Sequence, residues 1–477
     1  MRVLVLALLT VAAAAAQAPP PASGVRTMRV DYFHTGDATQ EIFSFDEAVV
    51  EPAVWSGHAG REVDPINYGA YGFDVRDAAS KTLLYSRGFG SIFDEWSTTD
   101  EATKMTRTFH ESVRFPMPKA PVAVTIRKRV GSGTQWRELW TTTVDPRNMF
   151  VNPVRPEPSP GALIEFEKHG DPADKVDLLL LGDGYTAAER KKFEADSQRL
   201  LAVLFATSPF KERRNDFNVW ALTVPVPESG VSRPSTGLHH ASATGARYDI
   251  FGSERYILTL DNRAFRDLAQ YAPYEFVEIV INGQTYGGGG IFGQFSTVAA
   301  DNDWADYVFV HEFGHHFAGL ADEYYTSPVA YAAGEHPTVE PWEPNVTALL
   351  QPDRLKWKDQ MSPVAERAAV PLPTPWPKAE YEAYERDIQA RRVKLRADKR
   401  PESEMSALFR EEQAHVEALF ADARYRDAVG AFEGANYAAT GYYRPQMQCM
   451  MFTRADAFCS VCRHAISDII DLYTAAR

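Results

Sequence analysis

The residue types with the clearest chemistry lie in one run: His311-Glu312-Phe313-Gly314-His315-His316, then Phe317-Ala318-Gly319-Leu320-Ala321-Asp322-Glu323-Tyr324. A helix turns once in about 3.6 residues, so His311 and His315 stand one above the other on one face. Two imidazoles stacked in that way can each direct a nitrogen at one zinc ion. Glu312 follows the first histidine. Its carboxylate can reach a water activated by the metal without joining the ligands. His311 and His315 are therefore candidate metal ligands, and Glu312 is the candidate catalytic base. The bare spacing also occurs in helices with two unliganded histidines, so the flanking residues matter. His316 lies about 100° around the helix from His315 and either supports the site or faces solvent.

Gly319 supplies the next step. Glycine takes the left-handed conformation that ends many helices at no steric cost, so the chain can turn after Ala318. The turn brings Asp322 back towards the metal as the third ligand, with Glu323 as the adjacent competitor. A carboxylate there leaves the fourth position for water. The order follows the metzincin plan with one departure. That plan puts glycine three residues after the second histidine and the third ligand six after it. Here Gly319 comes four after His315 and Asp322 seven after it. A methionine in a tight turn beneath the metal is the second mark of the plan, and Met450 or Met451 can fill it.

These residues need elements to hold them. Asp303, or a residue near it, can cap a helix that runs through Trp304, Tyr307, Val308 and Val310. The continuous apolar run Asp177-Leu178-Leu179-Leu180-Leu181 reads as a buried strand. Thr186 with Glu189 forms a capping box that opens a helix to about Phe205. Asn218 to Val224 and Phe276 to Ile281 read as further strands. The run Gly287 to Gly290 reads as a loop; it lacks the Gly-Lys-Ser/Thr ending of a phosphate loop. Between Lys378 and Tyr425, Tyr381, Tyr384, Ile388, Leu395, Met405, Leu408, Val416 and Leu419 recur at helical spacing. Pro401 interrupts them. That pattern predicts a helical hairpin with a charged, solvated face.

Upstream the signal changes. Short alternating apolar runs fill about 26–145, including Val122, Val124 and Ile126, with no helical period between them. They predict an all-β sandwich that serves as a packing or targeting module. Pro153, Pro156, Pro158, Pro160 and Gly161 read as a linker. The first residues combine Arg2, an apolar stretch and small residues, as a secretory signal peptide does. The boundaries expected are signal peptide 1–18, β-sandwich 19–152, Pro-rich linker 153–161 and catalytic domain 162–477, with a helical insertion over about 377–425. The location expected is secreted or periplasmic.

Composition sets the outer limits. The chain has 477 residues, with 45% hydrophobic and 24% charged, which fits a folded chain of more than one domain. Its net charge of −14 and the lack of a basic stripe argue against a nucleic-acid partner. No stretch is long and apolar enough for a membrane span. The three cysteines, Cys449, Cys459 and Cys462, allow at most one internal bridge. Cys449 is expected to pair with Cys459 or Cys462. A zinc pair at Cys459 and Cys462 finds only His464 nearby in sequence.

Taken together, several stretches resemble the IgA metallopeptidase family of bacterial secreted zinc proteases. They are Leu180-Leu181-Gly182-Asp183-Gly184-Tyr185-Thr186, Tyr286 to Gly290, His311 to Tyr325, and Tyr443-Arg444-Pro445 leading to Cys449 and Met451. The resemblance covers roughly 165–477. It implies a metzincin-like zinc protease domain, α+β or α/β, behind the all-β sandwich. It also implies one catalytic Zn2+ and hydrolysis of a protein or peptide substrate. The family name does not imply that this chain cuts immunoglobulin A. On this reading the substrate lies extended along an edge strand at Phe276 to Ile281, and Tyr443 donates to the oxyanion. Two other readings remain: a different zinc amide hydrolase, and a non-catalytic secreted binding protein on a protease scaffold. An intact Glu312 speaks against the second.

Overall fold

The computed structural model describes residues 24–131, 135–153, 159–326, 337–361 and 370–474. The expected signal peptide and most of the expected Pro-rich linker lie outside the described residues. No helix among the described residues is long and apolar enough to cross a membrane.

The N-terminal part is β-rich. Its elements are β1 (Arg26–Gly36), β2 (Glu41–Val54), β3 (Tyr71–Asp77), β4 (Leu83–Phe89), a short helix α1 (Ile92–Ser97), β5 (Arg107–Pro116), β6 (Val122–Arg129), β7 (Trp136–Val144) and β8 (Val151–Pro153). They form two four-stranded sheets, β5-β1-β2-β8 and β4-β3-β6-β7. Val30, Tyr32 and Val113 from the first sheet share a core with Phe73, Val124 and Ile126 from the second. Residues that alternate along each strand can meet in this way because successive side chains point to opposite faces.

The C-terminal part is mixed α/β. Its first elements are β9 (Ile164–Glu167), β10 (Val176–Asp183), α2 (Arg190–Leu204), β11 (Phe217–Thr223), a two-residue ribbon β12 (Ala246–Arg247) and β13 (Leu258–Thr259), and α3 (Asn262–Ala269). Then come β14 (Phe276–Ile281), β15 (Gly288–Ile291), β16 (Phe295–Ala299) and α4 (Ala305–Ala318). The chain closes with α5 (Lys378–Ala397), α6 (Glu402–Ala421), the hairpin β17 (Phe432–Ala435) and β18 (Ala438–Arg444), and α7 (Ser460–Tyr473). The main sheet runs β15-β16-β14-β10-β11-β9, parallel at its centre and antiparallel at both edges.

The leucine run is continuous because β10 is covered on both faces. Leu178 and Leu180 pack with Phe193, Phe309 and Phe313 on the side of α2 and α4. Leu179 and Leu181 pack with Phe265 and with Ile92, Phe93 and Trp96 of the β-rich part. Each such side chain contributes about 1.5–3 kcal/mol through burial. The capping box at Thr186 and Glu189 is formed and opens the turn into α2.

Three expectations change here. β14 (Phe276–Ile281) is not an edge strand, because it lies between β16 and β10. The Gly287 to Gly290 run is not a loop, since Gly288–Ile291 is the edge strand. Its glycines let the strand lie against a helix backbone: a Cβ on Gly290 would come within 2.4 Å of the Glu312 carbonyl oxygen. The helical pair α5 and α6 is only partly a solvated face. Tyr381, Ile388, Met405, Phe409 and Phe420 are buried, and Phe409 meets Trp304 and Tyr286.

Candidate metal centre and cleft

Helix α4 carries the candidate residues and is buried around most of its surface. No side chain among the described residues caps its first turn: Asn302 Oδ1 accepts from Trp304 N just before the helix, and Asp303 pairs with Arg410 at the surface. The helix ends where glycine permits. Gly319 sits at φ 61°, and its N–H donates to the His315 carbonyl. The chain then reverses, so that Asp322 faces the two histidines.

The geometry is close. His311 Nε2 and His315 Nε2 are 3.2 Å apart, and Asp322 Oδ1 lies 3.1 Å from the first and 3.3 Å from the second. All three ligand atoms fall within 4.8 Å of one another. Each imidazole is fixed from behind. His311 Nδ1 donates to the Met450 carbonyl at 3.0 Å, and His315 Nδ1 donates to the Leu320 carbonyl. Both Nε2 atoms therefore point at Asp322, the direction that metal ligation requires. Asp322 Oδ1 is buried with no hydrogen-bond partner. Two imidazole nitrogens and a carboxylate oxygen buried around one point are the donor set of a three-residue metal site, so the residues fit a divalent metal.

The three groups are coupled electrostatically. Burial opposes charge on His315, but Asp322 outweighs it and lifts the imidazole pKa to about 9. Burial likewise opposes the charge on Asp322, and the two histidines hold its carboxyl well below the usual range. Glu312 points into the same cleft, and burial raises its carboxyl above the ordinary value despite the neighbouring histidines. A raised carboxylate pKa suits a group that must take and return a proton.

Glu323 goes elsewhere. Asp322 to Tyr324 runs extended: Asn436 N donates to the Asp322 carbonyl, Tyr437 N to the Tyr324 carbonyl, and Glu323 N to the Met451 carbonyl. Successive side chains alternate, so Glu323 points away from the histidines and is fully buried among the cysteines. Asp322, not Glu323, is the acid brought to the histidines.

His316 does not face solvent. It is fully buried, accepts from Val277 N and donates to the Ile291 carbonyl, and burial holds its pKa down to about 3. It ties α4 to β14 and to the end of β15. Met450 and Met451 are both buried. Met450 supplies the carbonyl that orients His311, while the Met451 sulfur lies near Gly314.

A cleft of about 410 Å³ opens over Glu312, His315 and Asp322. Gly288 and Gly290 of the edge strand line it. Gly288 already exchanges backbone bonds with Arg255 and Ile257. Gly290 shares the outward orientation of Gly288 along the strand. Tyr443 does not line the cleft, whereas Tyr324 and Tyr437 do. The Tyr437 hydroxyl donates to Asp322 Oδ2. Asn436 and Tyr437 form the two-residue hairpin turn with φ 50° and 61°, left-handed values that suit such turns but rarely a tyrosine.

Sequence reasoning missed Tyr437 and the contribution of the β-rich part. Ser91, Asp94 and Glu95 of that part form one cleft wall, and Gly90 N donates to the Phe292 carbonyl. The packing module thus also shapes the site. A motif search has little to find there, because these residues have no catalytic spacing. An Asn-Tyr pair between two short β runs was the available signal for Tyr437.

Two imidazoles and one carboxylate around a common point, with a second carboxylate in the cleft beside them, define a candidate metallohydrolase site on an α/β scaffold. A family model described as IgA Peptidase M64 matches residues 164–470, and one described as Peptidase M64 N-terminus matches residues 22–140. The chain belongs to the IgA peptidase M64 family. That membership makes it a peptidase of the metallopeptidase class, with a protein substrate. No curated protein matches the sequence.

Proposed function

We propose that the chain is a secreted zinc-dependent endopeptidase whose metal is held by His311, His315 and Asp322 and whose general base is Glu312. The convergence of two oriented Nε2 atoms on one Asp322 oxygen carries this reading. The signal-like first 18 residues support secretion.

A bound zinc ion would acidify a water and polarise the scissile carbonyl. The protein's own groups do the rest. Glu312 accepts the water's proton on its carboxylate and returns it to the leaving amine nitrogen. Met450 and Leu320 hold the histidines by their carbonyls, and Tyr437 holds Asp322 by its hydroxyl. An extended substrate meets the outward backbone groups of Gly290 and gains strand pairing there. Arg255, beside Glu312, and the Tyr324 hydroxyl that it contacts are donors on the cleft wall for the oxyanion.

The test is digestion of a generic unfolded protein with and without a chelator. Glu312→Gln should keep its metal and lose about 10²–10⁴-fold in turnover. His315→Ala and Asp322→Ala should lose the metal. Full turnover by Glu312→Gln, or cleavage untouched by chelation, rejects the mechanism. Hydrolysis of small amides alone would reassign the chain to another class of zinc amide hydrolase.

A further inference from the structure

Directly behind the candidate catalytic centre lies a second cluster. Cys449, Cys459, Cys462 and Glu323 offer four ligand atoms within 4.8 Å of one another, and all four residues are buried. Cys449 Sγ is 3.7 Å from Cys462 Sγ, and Cys462 Sγ is 3.3 Å from Glu323 Oε1. Zinc–sulfur bonds of about 2.3 Å and a zinc–oxygen bond of about 2.0 Å give tetrahedral edges of about 3.8 Å and 3.5 Å. The observed separations are close to those edges.

Two of the three sulfurs, those of Cys449 and Cys459, accept backbone N–H groups. Met451 N and Cys459 N both approach Cys449 Sγ, at 3.5 Å and 3.2 Å. Cys462 N approaches Cys459 Sγ at 3.4 Å, and Cys459 caps the N-terminus of α7. Backbone N–H groups and a helix N-terminus directed at sulfur favour thiolates. A second, independent observation comes from Glu323. It is fully buried, and although Asn345 donates to its Oε1, its Oε2 has no partner.

We propose that Cys449, Cys459, Cys462 and Glu323 bind a second zinc ion with a structural role. A disulfide between Cys449 and Cys462 would leave the third thiol and the Glu323 carboxylate buried and unmatched. A metal matches all four at once, and a buried set of three thiolates and one carboxylate suits zinc. Four protein ligands leave no open position. His464, the only nearby ligand in sequence, is exposed beside Asp468 and takes no part. The site would pin Glu323, and through the backbone Asp322. It would also pin Cys449, next to the Met450 carbonyl that orients His311. The proposal stands independently of the catalytic reading.

Cobalt(II) alone, loaded into reduced, metal-free protein, provides the probe. All three cysteines of the chain lie in this cluster, so any thiolate-to-cobalt charge-transfer band reports this site. Wild type should bind two ions per chain and display the band. The His311→Ala/His315→Ala double variant should bind one ion and keep the band. Cys462→Ser should lose it while retaining one ion. If Cys462→Ser does not fold, the wild-type and double-histidine spectra still decide. Absence of the band in both, or a disulfide found by mass mapping of protein purified without reductant, overturns the proposal.

Discussion

Gly290→Ala tests whether the edge strand must touch helix α4, which carries the candidate centre. The φ of Gly290 is not left-handed, so a side chain there incurs no backbone penalty of that kind. The penalty is contact. The new methyl would lie 2.4 Å from the Glu312 carbonyl oxygen and 3.0 Å from His315 Cβ. A relaxed carbon–oxygen contact needs about 3.4–3.5 Å, so strand or helix must yield by about 1 Å. Helix α4 is wedged by Phe309, Phe313 and Phe317, whereas β15 is an edge strand, so β15 moves. Overpacking of this size costs about 1–3 kcal/mol in stability. A displacement of about 1 Å in a positioning element costs about 10²-fold in turnover. The assay is steady-state digestion of a generic protein, with metal content and thermal unfolding measured on the same sample. Gly237→Ala is the control: its φ is 75° and nothing lies within 4 Å of the added methyl. It should lose about 1 kcal/mol and no activity. Gly290→Ala with wild-type turnover and stability would refute the close approach.

Two further outcomes are expected. Tyr437→Phe removes the hydroxyl that donates to Asp322 but keeps the ring against Tyr324. Affinity for the proposed metal at Asp322 should fall about 10–100-fold in chelator competition, and an unchanged affinity would discount the contact. In the β-rich part, burial opposes ionisation of Glu41, but His34, Tyr71 and Lys128 outweigh it and lower its pKa from 4.5 to about 2. The folded value is depressed, so this stabilisation is complete above pH 4.5 and is lost as pH falls towards about 2. The gap corresponds to about 3 kcal/mol, reduced by water contact to about 1–2 kcal/mol. Urea unfolding should find Glu41→Gln less stable by that amount near about pH 6, with the difference closing in acid. A pH-independent difference would reject the assignment.

The candidate centre and the second cluster share one short segment. Asp322 and Glu323 are neighbours whose side chains leave opposite sides of an extended backbone. That backbone is held by the β17–β18 turn on one side and by the Met451 carbonyl on the other. The segment is thus the hinge point between chemistry and support, and a loss of order there would reach both.

Local spacing alone determined several features. The His311–His315 face follows from helix pitch, and the stop at Gly319 from the freedom of glycine. The strand at Leu178–Leu181 follows from its unbroken apolar run. Each depends on residues within a turn or two, so the sequence contains the whole cause. The tertiary structure alone decided what meets across long separations. Which carboxylate faces the histidines depends on alternation after a turn and on the partners of each side. Sheet order put Gly288–Ile291 at the edge and Phe276–Ile281 inside. Packing brought Glu323 to Cys449, Cys459 and Cys462, and the β-rich part to the cleft wall. Contacts of that kind are chosen by the total burial and hydrogen bonding of the assembled layers, which no local window of sequence encodes.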